Sequence, residues 1–422
     1  MDAYRSPSAD PAECQRNRRK FLKFLAASPC FALLANTQFA AAETGPVPIP
    51  NIYSPGQISN PKDALEVFDF SEPCRNNSIP AHWGYLSGGV DGDATVRANS
   101  AAFDHYNLRP RRLLGKVAAR VSTSTEIWGV TYDTPIFMAP IGGHKTYHPE
   151  GEIAVARASK NRNALMVLST PTTSSVEDVA KALGRPPWYQ IYAPSAWPQT
   201  EQLVRRVEAA GCAAIVVTVD NIMGRNSVTF NRARLSDRTN CNACHKGFSA
   251  AGLFERPMFK GIDMTGLVAP NPALDWAFID RLRKATKMKV VVKGLEVGED
   301  AKLCLEHGVD AILVSNHGGR ATDTGRATID ALGEVLGAVN GRIPVFVDSG
   351  FRRGTDIVKA LAMGAKLVGI GRPYIWGLGS FGEAGVDRVL EILQAEMKIV
   401  MAGCGAANIK EITPAHVARA QA

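Results

Sequence analysis

The chain has no hydrophobic run of bilayer-spanning length in its main body and no basic stripe interleaved with aromatics, which make up only 7% of its 422 residues. The first absence excludes a membrane-spanning helix there, since such a helix needs about 20 consecutive apolar residues. The second argues against nucleic acid as a partner, because that binding needs clustered positive charge. Charge is not concentrated either: 21% of residues are charged, and a net +8 is modest for this length. A positive field suits small anionic substrates. What is present is an ordinary globular composition, 45% apolar, with length for one large domain plus extensions.

Residues 1–42 read as a leader rather than as part of the fold. Asn17-Arg18-Arg19-Lys20-Phe21-Leu22-Lys23 precedes a moderately apolar stretch to Phe39, and Ala40-Ala41-Ala42 offers a small-residue cleavage site. Pro29 and Asn36-Thr37-Gln38 leave this run too short and interrupted to span a bilayer. The segment resembles a twin-arginine export signal, which implies periplasmic localisation. Residues 43–60 are Pro-rich and read as an extended connection, and 61–422 as the folded domain.

From Pro135 onward, short apolar runs alternate with helical patterns, as repeated βα units require. Strands are expected at Pro135–Ala139, Ala164–Leu168, Trp188–Ile191, Ala214–Val219, Val290–Val292, Ala311–Val314, Ile343–Val347 and Leu367–Ile370. Helices are expected at Ser175–Leu183, Gln199–Ala210, Asp275–Ala285, Glu299–His307 and Asp356–Met363. Eight such units over this length predict an α/β fold, a (β/α)8 TIM barrel, preceded by a helical extension and carrying an insertion between strands 4 and 5.

Polar residues fall just after these strands, where barrels keep their reactive groups. Ser315-Asn316-His317-Gly318-Gly319-Arg320 places an imidazole and a guanidinium three residues apart after an apolar strand. A lone histidine near a strand end is often a satisfied polar core residue, but the paired glycines favour close approach by a ligand. Asp220 could hold the His317 imidazolium and raise its pKa, or could cap the next helix. Lys293 ends an apolar strand, so its ammonium must meet an anion or an electron-rich ligand. The glycines and arginines of Gly350-Phe351-Arg352-Arg353-Gly354 and Gly369-Ile370-Gly371-Arg372 follow strands 7 and 8, where a phosphate site is common.

Together these blocks resemble the FMN-dependent α-hydroxy acid oxidising enzymes: glycolate oxidase, lactate oxidase, lactate and mandelate dehydrogenases, and the flavin domain of flavocytochrome b2. The resemblance covers about residues 79–416 and includes Pro135-Ile136-Phe137-Met138-Ala139-Pro140, His148-Pro149-Glu150-Gly151-Glu152, Thr218-Val219-Asp220 and Val292-Lys293-Gly294. It implies FMN as cofactor and oxidation of an L-2-hydroxy carboxylate to the 2-oxo acid. In that reading His317 takes the substrate proton, Asp220 steadies it, and Tyr192 bonds the substrate near its reacting carbon. Arg225 and Arg320 hold the substrate carboxylate. Lys293 balances charge on the reduced ring; Ser169, Gln190 and Thr218 contact its edge; Ala139, Pro140 and Gly142 pack against it, with Ser315 nearby. Asp348, Gly350, Arg352, Gly371 and Arg372 take the ribityl phosphate end.

Two departures from the family pattern stand out, and a third position bears on the electron acceptor. Gly84 occupies the place of a tyrosine that binds the substrate carboxylate, leaving Tyr85, Trp83 or water as substitutes. Pro171 stands where a bulky aromatic often follows the second strand. Gly142, where oxygen-using members often carry alanine, favours a dehydrogenase that passes electrons to a quinone or cytochrome c, with an oxygen-using oxidase as the alternative. A non-redox phosphate-binding barrel is the rival reading, and the resemblance also implies a homo-oligomer, a tetramer.

The insertion, about residues 232–270, contains Cys241-Asn242-Ala243-Cys244-His245. This spacing matches a c-type haem attachment site, and a local disulfide or a loop covering the active site are the other readings. No metal site is expected apart from that haem. The apolar Phe248, Leu253, Phe254, Met258 and Phe259 suggest a peripheral membrane contact.

Overall fold

A computed structural model describes residues 58–115, 117–221, 224–239 and 250–420. The expected leader, most of the Pro-rich connection and the Cys241-to-His245 motif lie outside the described residues. The four described cysteines, Cys74, Cys212, Cys304 and Cys404, are free and buried. No helix among the described residues is long and apolar enough to cross a membrane.

Eight parallel strands close into a barrel: β1 Ile136–Met138, β2 Leu165–Ser169, β3 Trp188–Ile191, β4 Ala214–Thr218, β5 Lys289–Leu295, β6 Ala311–Val314, β7 Val345–Val347 and β8 Leu367–Ile370. Every expected strand occurs, within about two residues at most ends. The reason is burial on both faces: strands enclosed by helices outside and side chains inside read as unbroken apolar runs. Alternation still sorts the two faces. Leu165 and Val167 point into the barrel with Phe137, Val216 and Leu313, while Met166 and Leu168 pack outward against the helices.

One end of the barrel is sealed. An antiparallel hairpin, Thr125–Ile127 with Val130–Tyr132, carries Trp128 at its turn. Trp128 stacks on Trp188, the first residue of β3, with centroids 4.9 Å apart, and meets Phe346 edge-on at 6.1 Å. The carboxyl ends of the strands are therefore the open mouth.

The longer helices before and around the barrel are α1 Pro80–Ser87, α2 Ala94–Ala101, α3 Gly151–Asn161, α4 Val176–Leu183, α5 Trp197–Ala209, α6 Val228–Ser236, α7 Trp276–Ala285, α8 Gly298–Glu306, α9 Thr328–Val339, α10 Gly354–Met363 and α11 Arg372–Cys404. The helical extension before the barrel is thus present in α1 and α2. Its seat is polar: Asn99 of α2 exchanges side-chain hydrogen bonds of 2.8 and 2.9 Å with Asn316, and Asp323 accepts the Gly92, Ala94 and Thr95 N–H groups at the start of α2. Two of these, Ala94 and Thr95, are orphan donors of the first turn, which a carboxylate at a helix N-terminus satisfies. Helix α11 was not expected as one element; Phe381 and Gly382 break its helical geometry, folding it so that Gly377 and Gly385 touch backbone to backbone.

The insertion lies between β4 and β5, as expected, and its first helix, α6, packs directly on α1. A Cβ on Gly84 would lie 2.4 Å from Ala233 Cβ, and one on Gly88 would lie 2.7 Å from Thr229 Cβ. The two glycines let the helices approach this closely. The membrane-contact reading of the insertion is corrected here. Met258 and Phe259 are buried, and Leu253 and Phe254 are partly buried against the core. Phe254 meets Phe259 edge-on at 5.3 Å, so these side chains anchor the insertion to its own barrel; Phe248 lies outside the described residues.

Candidate active site

A cavity of about 520 Å³ opens at the barrel mouth, lined by residues from the ends of the strands, from α1 and from the insertion. At its floor the chain leaves β6 through Ser315, whose hydroxyl accepts the His317 N–H at 3.1 Å and the Lys293 ammonium at 2.9 Å. His317, Gly318 and Gly319 all have positive φ, 60°, 69° and 77°. Left-handed geometry is uncommon for a histidine and occurs where the surrounding structure imposes it.

The bonds around His317 fix its proton. Nδ1 lies 2.7 Å from Asp220 Oδ1, and Nε2 lies 2.8 Å from Arg225 Nη2 and 3.1 Å from the Tyr192 hydroxyl. Arginine can only donate, so Nε2 accepts and the proton sits on Nδ1, donated to Asp220. The Tyr192 ring lies nearly parallel to the imidazole, at 9°. Asp220 is not a helix cap, since the next helix begins at Val228.

The expected rise in the His317 pKa is corrected by this geometry. Burial, together with the Arg225 charge, holds the imidazole down to about 3, outweighing Asp220. Asp220 itself is held at about 2: burial works against its charge, but His317, Lys293 and Arg225 prevail. The pair is therefore a neutral imidazole on a carboxylate, with a lone pair available on Nε2.

Lys293 is 3% exposed. Burial disfavours its ammonium, but Asp348, 3.9 Å away, and Asp220 more than compensate and raise its pKa. Beside it, Ser169 Oγ donates to Gln190 Oε1 at 2.6 Å, while Gln190 Nε2 and Thr218 Oγ1 are buried with no hydrogen-bond partner. Buried orphan donors are costly unless a ligand satisfies them. Ala139, Pro140, Gly142 and Gly371 line the cavity; Gln190, Ser315 and Asp220 touch it through hydrogen bonds to the lining Ser169, Lys293 and His317, and Thr218 is paired with Lys293 between β4 and β5. Gly142 and Pro171 are neighbours: a Cβ on Gly142 would lie 2.4 Å from Pro171 Cγ. Gly142 and the departure at Pro171 are thus one packing arrangement.

Arg352 and Arg372 line the far end with Asp348 and Gly350. Burial pushes Arg352 down to about 10, and burial with the Arg320 and Arg352 charges pushes Arg372 down to about 9. Guanidinium groups this disfavoured call for an anion. Gly350, read as a phosphate contact, has a nearer reason to be glycine: its φ is 98°, and a Cβ there would lie 2.1 Å from Asn99 O.

Arg320 and Arg372 also grip the carboxyl end of α1. Arg320 Nη1 donates to Tyr85 O and, at 2.9 Å, to Gly88 O; Arg372 donates to Leu86 O at 2.7 Å and Gly88 O at 2.9 Å. Tyr85 lines the cavity, with the Arg320 guanidinium 4.2 Å above its ring. Burial would raise its pKa, but Arg320, Arg225 and Arg256 together lower it. Gly84, by contrast, faces α6. The side chain beside the two arginines is that of the next residue along, one of the substitutes anticipated from sequence.

Other neighbours of the site had no role assigned from sequence. Glu152 accepts from His144 N at 3.1 Å, Thr173 N at 2.8 Å and Ser174 Oγ at 3.1 Å, tying the loops after β1 and β2 together. Arg234 and Arg256 of the insertion line the cavity, although nothing in their local sequence marks them.

The chain matches the FMN-dependent dehydrogenase family model over residues 74–419 and belongs to that family. It is therefore an FMN-dependent oxidoreductase, which sets aside the non-redox barrel reading. It is 40% identical to a peroxisomal (S)-2-hydroxy-acid oxidase of Oryza sativa subsp. japonica over 84% of this chain and 95% of the relative. It is 36% identical to an L-lactate oxidase of Lysinibacillus sphaericus, over 79% and 87%. Among solved structures, a mandelate oxidase with (S)-2-phenylpropionate matches with a TM-score of 0.73 at 31% identity, covering 85% of this chain and 98% of that one. A flavocytochrome b2 variant with pyruvate bound matches at 0.75 and 30% identity, covering 85% and 87%.

Proposed function

We propose that the protein oxidises an L-2-hydroxy carboxylate to the 2-oxo acid and passes the electrons to a respiratory acceptor, a quinone or a cytochrome c. The observation that carries the reading is the His317 Nε2 lone pair, set between Arg225 and Tyr192 and backed by Asp220. A neutral imidazole is the form that can accept the proton a hydroxy acid must release on oxidation. Arg225, Arg320 and the Tyr85 hydroxyl fit the substrate carboxylate, and Tyr192 the hydroxyl-bearing carbon.

The residues present fit FMN. Gln190 Nε2, Thr218 Oγ1 and Lys293 are donors for the polar edge of its ring, Gly142 and Ala139 give a flat wall, and Arg352 and Arg372 meet a phosphate. When bound, FMN supplies the two-electron acceptor for the substrate. Lys293, unable to leave its buried place, offsets negative charge there.

Anaerobic addition of a 2-hydroxy acid should bleach the flavin of the wild-type protein. The His317→Gln variant should retain flavin and bleach slower by roughly 10²- to 10⁴-fold. Undiminished bleaching in that variant would refute the assignment of the base.

Gly142 supports an acceptor other than oxygen, as does the twin-arginine-like leader, which would deliver the protein to the periplasm beside respiratory carriers. The names of the curated relatives, 2-hydroxy-acid oxidases and L-lactate oxidase, favour a second reading in which oxygen reoxidises the flavin. Reoxidation rates with air, a quinone analogue and cytochrome c separate the two.

A further inference from the structure

We propose that the outer half of the cavity is a subsite for a second carboxylate, so that the preferred substrate is a 2-hydroxy dicarboxylate. This rests on the reading of the inner half as a 2-hydroxy acid site.

The cavity is lined by seven cationic side chains and one carboxylate, Asp348. Five of the cations have work to do. Arg352 and Arg372 face the phosphate end, Lys293 is balanced by Asp348, and Arg225 and Arg320 suffice for one substrate carboxylate. Arg234 and Arg256 remain, and both come from the insertion.

Arg256 is the sharper case. Its Nε is buried without a hydrogen-bond partner, and no carboxylate among the described residues pairs with it. Its position is built: the Arg256 N–H donates to Leu253 O at 3.1 Å, and its carbonyl accepts from the N–H of the buried Phe259 at 2.9 Å. Its charge reaches Tyr85, on which Arg320 also acts. Arg234 lies 5.6 Å from the Phe230 ring, which meets Tyr85 edge-on at 5.6 Å. The Tyr85 and Phe230 rings therefore run between the inner Arg320 and the outer Arg234, an apolar surface that suits a short hydrocarbon linker. A purely apolar substrate tail would leave Arg256 Nε dry and unpaired, which is costly; a second carboxylate would pair with it.

The test uses the FMN-loaded enzyme and compares flavin reduction by 2-hydroxysuccinate and 2-hydroxyglutarate with that by the chain-matched monocarboxylates 2-hydroxybutyrate and 2-hydroxypentanoate. The dicarboxylates should have a kcat/KM roughly 10- to 100-fold higher, the worth of a charged hydrogen bond. Arg256→Gln should collapse that ratio towards one, and Arg256→Lys should keep part of it. Equal or better use of the monocarboxylates by wild type overturns the subsite while leaving the hydroxy acid reading intact. An Arg256→Gln variant that lowers both classes equally also overturns it, showing general attraction of anions instead. Failure of all four acids to reduce the flavin removes the underlying reading, and the subsite with it.

Discussion

At His317 a carboxylate and a guanidinium pull the proton affinity in opposite directions, and burial decides for the neutral form. The unfolded imidazole takes a proton near its ordinary 6.5, the folded one only near 3. The folded state therefore binds fewer protons between these values, so its stability is full above the upper one and is lost as pH falls towards the lower. The thermal midpoint should drop across this window, and His317→Gln should make the drop shallower. Glu296 offers a second pH effect of opposite origin. Burial, aided by Asp220, lifts its pKa to about 7, and its Oε2 has no partner. Its ionisation adds negative charge behind Asp220, so kcat/KM should change through that pH in wild type and stay flat there in Glu296→Gln. Among single residues, His317, Asp220 and Arg320 were legible because each follows an apolar strand, and Lys293 because it is the charged residue near the end of one. The sign of the His317 shift was not, because it is set first by burial at the cavity floor and then by Arg225, which reaches Nε2 from a loop 92 positions away.

Among the elements, the eight strands and the five expected helices were read to within about two residues at most ends, and the long carboxyl-terminal helix was not. Parallel strands announce themselves as continuous apolar runs; α11 hides its fold at Phe381 and Gly382 because apolar residues continue on both sides. The pairing of α1 with α6 was also invisible, since the reason for Gly84 and Gly88 lies more than 140 positions away in the sequence. That pairing gives a sharp expectation. Gly84→Ala places a methyl against Ala233 Cβ, and overpacking of this kind costs about 1–3 kcal/mol. Because α6 forms part of the cavity wall through Phe230 and Arg234, the variant should raise KM while flavin content stays unchanged. A KM equal to that of wild type would show that α6 tolerates displacement.

On the scale of the whole molecule, the barrel is plugged at one end by Trp128 and open at the other, so substrate, cofactor and insertion all meet at one face. The carbonyl of Gly88 is where they become mechanically linked. It accepts from Arg320, on the substrate side, and from Arg372, on the phosphate side. One oxygen atom thus works as a hinge pin between two binding events and the helix that roofs them. Stripping FMN leaves the mutual repulsion of Arg372, Arg320 and Arg352 beneath α1 without an anion to offset it, so limited proteolysis of the apoprotein should cut between residues 58 and 101 before it cuts the barrel, and restored flavin should protect that stretch. Loading the cofactor would then be the last step of folding for the amino-terminal arm, and a chain without flavin would lack a finished roof over its own active site.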